Sequence, residues 1–262
     1  LKQRLPQGSR CAFFRTQAAS NPVETLLMNA VAITQPAPVQ PKFIAPVWHT
    51  LLYLLILAGL AVWGAQRHGL PQFAGSTRTT SYLITIACEW LLAGFAVWGV
   101  RMGGVSVRTL IGGRWSKPTL FLRDLGLAVL FLIGSNIVLI LLTAVLRPGP
   151  NANISRMLPR SATEILLWIL LSLSAGICEE LTTRGYLQKQ LSGLLKNGTA
   201  GLFAQGIIFG VAHAYQGPKH ILTIAVLGCM LGWLAQWQQS LRPGMISHFL
   251  QDVFGGLMQG AH

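Results

Sequence analysis

Acidic residues are scarce in this chain. Seven Asp and Glu stand against 20 Lys and Arg, and charged residues make up only 10% of the 262 positions. A soluble domain carries about 25%, so there is too little charge here to clothe a solvated globule. Cysteine is scarce too. Cys11, Cys88, Cys178 and Cys229 include no pair with metal-ligand spacing, and three of them lie in apolar runs. They read as small buried hydrophobes, and nothing points to a disulfide framework. Basic clusters are missing as well. The net charge of +13 is spread singly between apolar runs, which argues against nucleic-acid binding. That dispersal is the pattern of loops facing anionic lipid.

What the sequence has is hydrophobic length. An apolar run of about 18 residues crosses the hydrocarbon core as a helix. Seven runs are candidates: Val47–Ala65, Tyr82–Val100, Leu125–Leu146, Glu164–Cys178, Ala200–Tyr215, Ile221–Trp237 and Met245–Met258. The chain is therefore expected to be all-α, a polytopic helical membrane protein with about seven to eight transmembrane helices. The first three runs are lipid-compatible apart from Glu89. The last four are shorter or carry Gly and ionisable residues, as helices around a polar interior do. Trp48, Trp63, Trp98 and Trp237 near span ends read as interface anchors. His49 and His68 flank the first span and are expected at the interface, and Lys219 and His220 in a solvated loop.

Three regions follow. Residues 1–45 are a polar, Pro-containing segment expected to be flexible. Residues 46–160 hold the N-terminal helices and loops, and residues 161–262 the polar-lined core. Met28 opens a stretch that would serve as a short N-terminus, so residues 1–27 read as a flexible extension or as the product of an early start. With the N-terminus inside, the inner segments hold most of the Lys and Arg. These include the run from Arg101 to Arg123, then Arg184, Lys189 and Lys196, then Arg242. The positive-inside rule thus favours a cytoplasmic N-terminus. The Gly-rich connection Arg101–Arg123 lacks the Gly-Lys-Ser/Thr order of a phosphate loop and reads as a plain connector.

A charged side chain at the bilayer centre costs about 2.5–3.5 kcal/mol on insertion scales. Yet Glu89, Glu179, Glu180 and Asp252 fall at membrane depth or its edge, and His213 and His248 lie in apolar runs. A shared polar cavity is the simplest way to lower that cost. Glu180 and Arg184 are four apart and can pair on one helix face. Glu179, about 100° round the helix, points elsewhere. His248 and Asp252 are again four apart. For Glu179 to meet His213, the fourth helix has to continue past Cys178, or the fifth has to be shifted or broken. A carboxylate in an apolar cavity can take a proton from water and return it to a leaving amine, and imidazole can orient that water. His248 and Asp252 could help stabilise a tetrahedral oxyanion. Alternatively, Glu179, His213 and His248 have the donor types of a zinc site.

Three stretches carry a resemblance. Glu179-Glu180-Leu181-Thr182-Thr183-Arg184 reads EExxxR, Phe209-Gly210-Val211-Ala212-His213 reads FxxxH, and His248-Phe249-Leu250-Gln251-Asp252 reads HxxxN with Asp in the last place. In this order, over about residues 160–258, the chain resembles the CPBP family of CAAX proteases and bacteriocin-processing enzymes, the Abi-type intramembrane metalloproteases. The resemblance implies a four-helix catalytic core open towards the cytosol, and hydrolysis of a peptide bond in a membrane-associated protein or peptide. It implies that Glu179 and His213 activate water, that His248 and Asp252 form the oxyanion site, and that Glu180 with Arg184 gives structural support. A divalent metal such as zinc is the cofactor only in the metal-assisted alternative, and the sequence does not separate that mechanism from one run by the side chains alone. The expected partners are the lipid bilayer and a peptide or protein substrate, with no nucleic acid. The compact chain points to a bacterial inner membrane. A non-catalytic immunity or scaffold protein on the same fold is the competing reading. A transporter fits less well, because the polar residues crowd into one half of the chain.

Overall fold

The computed structural model describes residues 42–67, 77–147 and 152–260. Residues 1–27 and His68, on which expectations were placed, lie outside them. Among the described residues the chain is helical, with no strand. Helix α1 spans Val47–Arg67, α2 Arg78–Met102, α3 Val107–Ile111, α4 Pro118–Leu146, α5 Ala152–Met157 and α6 Ala162–Glu179. A π-helical stretch, Glu180–Leu187, joins α6 to α7, Gln188–Leu194. Then follow α8 Gly198–Ala212, a 3₁₀ turn Ala214–Gln216, α9 Pro218–Gln238 and α10 Arg242–Gly260.

Local chemistry sets several of these boundaries. The hydroxyls of Thr77 and Ser161 and the side chain of Asn197 accept from the backbone N–H of Thr80, Glu164 and Ala200, satisfying donors that a helix start leaves unpaired. Pro118 and Pro218 stand in the first turn, where a missing N–H costs nothing. Gly112, at φ 91°, ends α3 in the left-handed conformation.

Five helical segments are long and apolar enough to cross a membrane, and the chain is an integral membrane protein. Each expected run lies largely within a helix, with its ends moved. The fourth continues unbroken as Ala162–Leu194, 33 residues, one of the two arrangements expected to bring Glu179 towards His213. Half of its most apolar window is buried, against 6% for α4. The α6–α7 rod is thus the bundle's axis, and α4 is a peripheral helix turned to lipid. Helix α8 has only 15 residues, and α10, at 19 residues, is not among the five most apolar segments.

Small residues bring α8 and α9 together. A Cβ on Gly206 would lie 2.3 Å from Cys229 Sγ, and one on Gly210 2.5 Å from the Ile221 carbonyl. This small-xxx-small spacing is the usual basis of close packing in lipid, where no hydrophobic force draws helices together.

The connections gather at two ends. At one, Leu241 N–H donates to the Ile111 carbonyl (3.0 Å), and Gln190 binds the strap before α1. Its Oε1 accepts from Ile44 N–H (2.7 Å) and Ala45 N–H (3.0 Å), and its Nε2 donates to the Ala45 carbonyl (2.9 Å). Buried Asp124 pairs there with Arg242 (3.0 Å) and Arg123 (2.9 Å) and accepts from Trp115 (2.8 Å). The connection Arg101–Arg123 is therefore not a plain tether, because it carries α3 and leads into a buried ion pair. At the other end, Arg78 donates to the Arg156 carbonyl (2.9 Å) and Lys219 to that of Leu146 (2.7 Å).

Two interface expectations are corrected. His49 is fully buried, with Nδ1 2.9 Å from the Tyr186 hydroxyl and Nε2 3.0 Å from the Phe95 carbonyl. Its imidazole satisfies both partners inside the bundle, which the interface would not offer. Lys219 and His220 belong to the first turn of α9 rather than to a loop. Trp48, Trp98 and Trp237 are exposed near helix ends, as interface anchors are.

Candidate active site

Glu179 ends α6 and Glu180 opens the π-helical stretch, so both acids sit midway along the central rod. The wider turn frees backbone carbonyls, and nearby hydroxyls answer them. Thr182 Oγ1 donates to the Cys178 carbonyl (2.8 Å), and Thr183 Oγ1 donates to that of Glu179. Such turns recur at functional sites.

Adjacent positions give the two glutamates different surroundings. Glu180 has no exposed side chain, whereas Glu179 keeps 26% of its side-chain exposure and Asp252 33%. Glu179 and Asp252 therefore face open space, and Glu180 is locked in. Glu180 Oε1 accepts from Arg184 Nη1 at 2.8 Å, and Arg184 Nη2 donates to the Gly228 carbonyl at 3.3 Å. The guanidinium lies 4.2 Å above the centre of the Phe209 ring. The same Glu180 oxygen lies 3.0 Å from His248 Nδ1. An ionised carboxylate only accepts, so the Glu180 carboxylate calls for the proton on Nδ1. That leaves Nε2 facing Glu179 Oε2 at 3.8 Å and Asp252 Oδ2 at 3.6 Å.

His213 closes α8. Its Nδ1 lies 2.8 Å from the Phe209 carbonyl. That carbonyl can only accept, so Nδ1 is the donor and Nε2 is free to accept. Phe209 sits between the two imidazoles, with ring centres 4.8 Å from His213 and 6.1 Å from His248.

Two adjoining cavities, of about 200 and 320 Å³, share Glu89, Glu179, Phe209, His213 and Tyr215 in their walls. The first runs between α1 and α2 along Leu57, Leu60 and Leu92, an apolar wall. The second holds His248 and Asp252 and extends to Met157, Leu158 and Gln216, at the end where α5 lies.

All six expected site residues thus belong to one region. Direct contacts link Glu179, Glu180, Arg184, His248 and Asp252, while His213 joins them through Phe209 and the shared wall. Glu89 also faces this space, with its Oε2 buried and unbonded. Tyr215 and Trp168 were not foreseen. Trp168 Nε1 donates to the Asp252 carbonyl (3.0 Å), and no spacing rule links residues so far apart. The donor types of Glu179, His213 and His248 suit zinc. Among the described residues, however, no three His, Cys, Asp or Glu side chains are gathered closely enough to hold a metal ion. The expected three-ligand set is not assembled.

Fold and site together define a polytopic helical membrane protein with an acid–histidine cluster inside its bundle. Residues 161–254 match the Rce1-like family, described as type II CAAX prenyl endopeptidase Rce1-like, and over that segment the chain is similar to this family. The match contains the whole cluster except Glu89. Neither the curated proteins nor the solved structures contain a match.

Proposed function

We propose that this protein is an intramembrane endopeptidase that cleaves a membrane-associated protein or peptide by general-base attack of water. The observation that carries the reading is the division of labour between adjacent acids: Glu180 is consumed by Arg184 and His248, while Glu179 faces the cavity near His248 Nε2. Glu179 takes a proton from a water held against His213 Nε2. The water oxygen bonds to the scissile carbonyl carbon, and the carbonyl oxygen becomes an oxyanion. A proton on His248 Nε2 is offered to that oxyanion, with the imidazole oriented by Glu180 at Nδ1. The C–N bond then breaks, and Glu179 returns its proton to the leaving amine. Asp252 suits a positioning role at His248 better than a place beside the oxyanion, since two negative groups would repel. The apolar wall between α1 and α2 suits a substrate that arrives from lipid.

Purified protein in lipid nanodiscs, given a prenylated CAAX peptide in ¹⁸O-labelled water, is expected to yield a fragment with one ¹⁸O in its new carboxylate, as mass spectrometry would read. Absence of cleavage of this peptide and of a broad peptide mixture would move the assignment to a non-catalytic scaffold. A chelator added in parallel addresses metal assistance: lost turnover that zinc restores assigns a metal, and unchanged turnover assigns the side chains alone.

We infer the side of the membrane from loop charge. The basic connection Arg101–Arg123 lies at the end opposite to Met157 and Gln216, towards which the second cavity extends. A cytoplasmic N-terminus therefore turns that cavity away from the cytosol, whereas the family resemblance implies a cytosolic opening. The loop charge favours the first. In cells bearing a cysteine-free background, Gln216→Cys is expected to react with a membrane-impermeant maleimide, and Arg108→Cys only after lysis. The reverse pattern would restore the cytosolic opening.

A further inference from the structure

A third cavity, of about 640 Å³, lies at the opposite end of the bundle from the site's outer mouth. It is built where the strap before α1, the α7–α8 turn and the end of α9 converge. Lys42, Arg184 and Lys189 line it, and among the described residues no Asp or Glu does. Lys189 is half-buried on α7, yet neither its amine nor that of Lys42 has a hydrogen bond or ion pair among the described residues. Arg184 Nε is buried and unbonded. The Glu180 carboxylate is already engaged by Arg184 Nη1 and His248, so it leaves the two lysines uncompensated. The placement is built rather than incidental. Gln190 clamps Ile44 and Ala45 by three hydrogen bonds. A Cβ at Gly193 would lie 2.1 Å from Phe43 N, so the strap carrying Lys42 seats directly on α7.

Among the described residues the two lysines of this half-enclosed wall have no counter-charge, and their natural complement is a compact anion. Carboxylate ligands fit less well, because two separate ammonium groups and hydroxyls such as that of Thr199 in the wall match three oxygens better than two. We propose that this cavity binds a phosphate group, carried by an anionic phospholipid headgroup or free as inorganic phosphate. It is separate from the peptide-cleaving site and touches it only through Arg184.

The test is titration of the detergent-purified protein, read by native mass spectrometry for lipid and by thermal shift for inorganic phosphate. Phosphatidylglycerol is expected to bind more tightly than phosphatidylcholine if the headgroup is the ligand. Binding of inorganic phosphate, with no preference between the lipids, would assign the free anion. In either case Lys42→Gln and Lys189→Gln are each expected to weaken binding roughly fivefold. Lys189→Arg is expected to retain binding, and Lys219→Gln at the far end to leave it unchanged. Lys42 is exposed, so Lys42→Gln keeps the test decisive should Lys189→Gln misfold. Equal affinity in the wild type, Lys42→Gln and Lys189→Gln, or no binding of either ligand, would overturn the proposal.

Discussion

Glu179→Gln is expected to lower kcat for peptide hydrolysis by roughly 10²–10⁴-fold, the range a positioned general base contributes. The amide would keep the volume and the hydrogen-bonding capacity of Glu179 but could not take a proton. Because Glu179 makes no hydrogen bond through Oε2 and stands 3.8 Å from His248 Nε2, the variant should fold as the wild type does. KM is expected to change little, since the substitution removes an interaction made mainly in the transition state. Glu180→Gln makes the contrast. It disturbs His248 and Arg184 together, and should lower both activity and stability. Wild-type turnover in Glu179→Gln would remove this residue from the chemistry. Equal loss of folding in both variants would instead make the two glutamates a single structural unit.

The second large effect concerns stability. Removing one partner of a fully buried ion pair strands the other, at a cost of about 3–5 kcal/mol. Arg184 and Glu180 have no side-chain exposure, and Arg184 also holds Thr183 Oγ1 at 2.8 Å and the Gly228 carbonyl. Arg184→Ala is therefore expected to unfold at markedly lower denaturant in mixed micelles, by about that amount. The paired variant Glu180→Gln with Arg184→Met should cost less than the sum of its singles, because no bare charge remains. Arg184→Ala within about 1 kcal/mol of wild type, the scale of an exposed pair, would show that water already reaches this pair.

Much of the fold was legible because membrane helices are encoded by length and composition, which are local. Each of the seven apolar runs lies largely within a helix, and five of them lie in helices long and apolar enough to cross a membrane. The continuation past Cys178 was legible too, since nothing between Glu179 and Leu191 breaks a helix. What the local pattern missed is the π-helical turn at Glu180–Leu187. A residue count alone does not distinguish a turn of i→i+5 bonds from one of i→i+4.

The site divides along the same line. Glu180 with Arg184 could be read directly, because four residues along a helix place two side chains on one face. His248 on Glu180 could not, because they stand 68 residues apart and their meeting depends on how deep and at what rotation α10 sits against α6. Gly176 sets that approach, as a Cβ there would lie 2.9 Å from the Met245 carbonyl. The same reasoning covers His49, expected at an interface and found against Tyr186, and Asp124, whose ion pair with Arg242 spans the bundle. By itself the sequence determined that this chain crosses a membrane and carries acids and imidazoles that must find one another there. Only the tertiary structure decided which acid is locked in a pair and which faces the cavity. Helix spacing sets the face a side chain shares, but the packing of small residues between helices sets what that face meets.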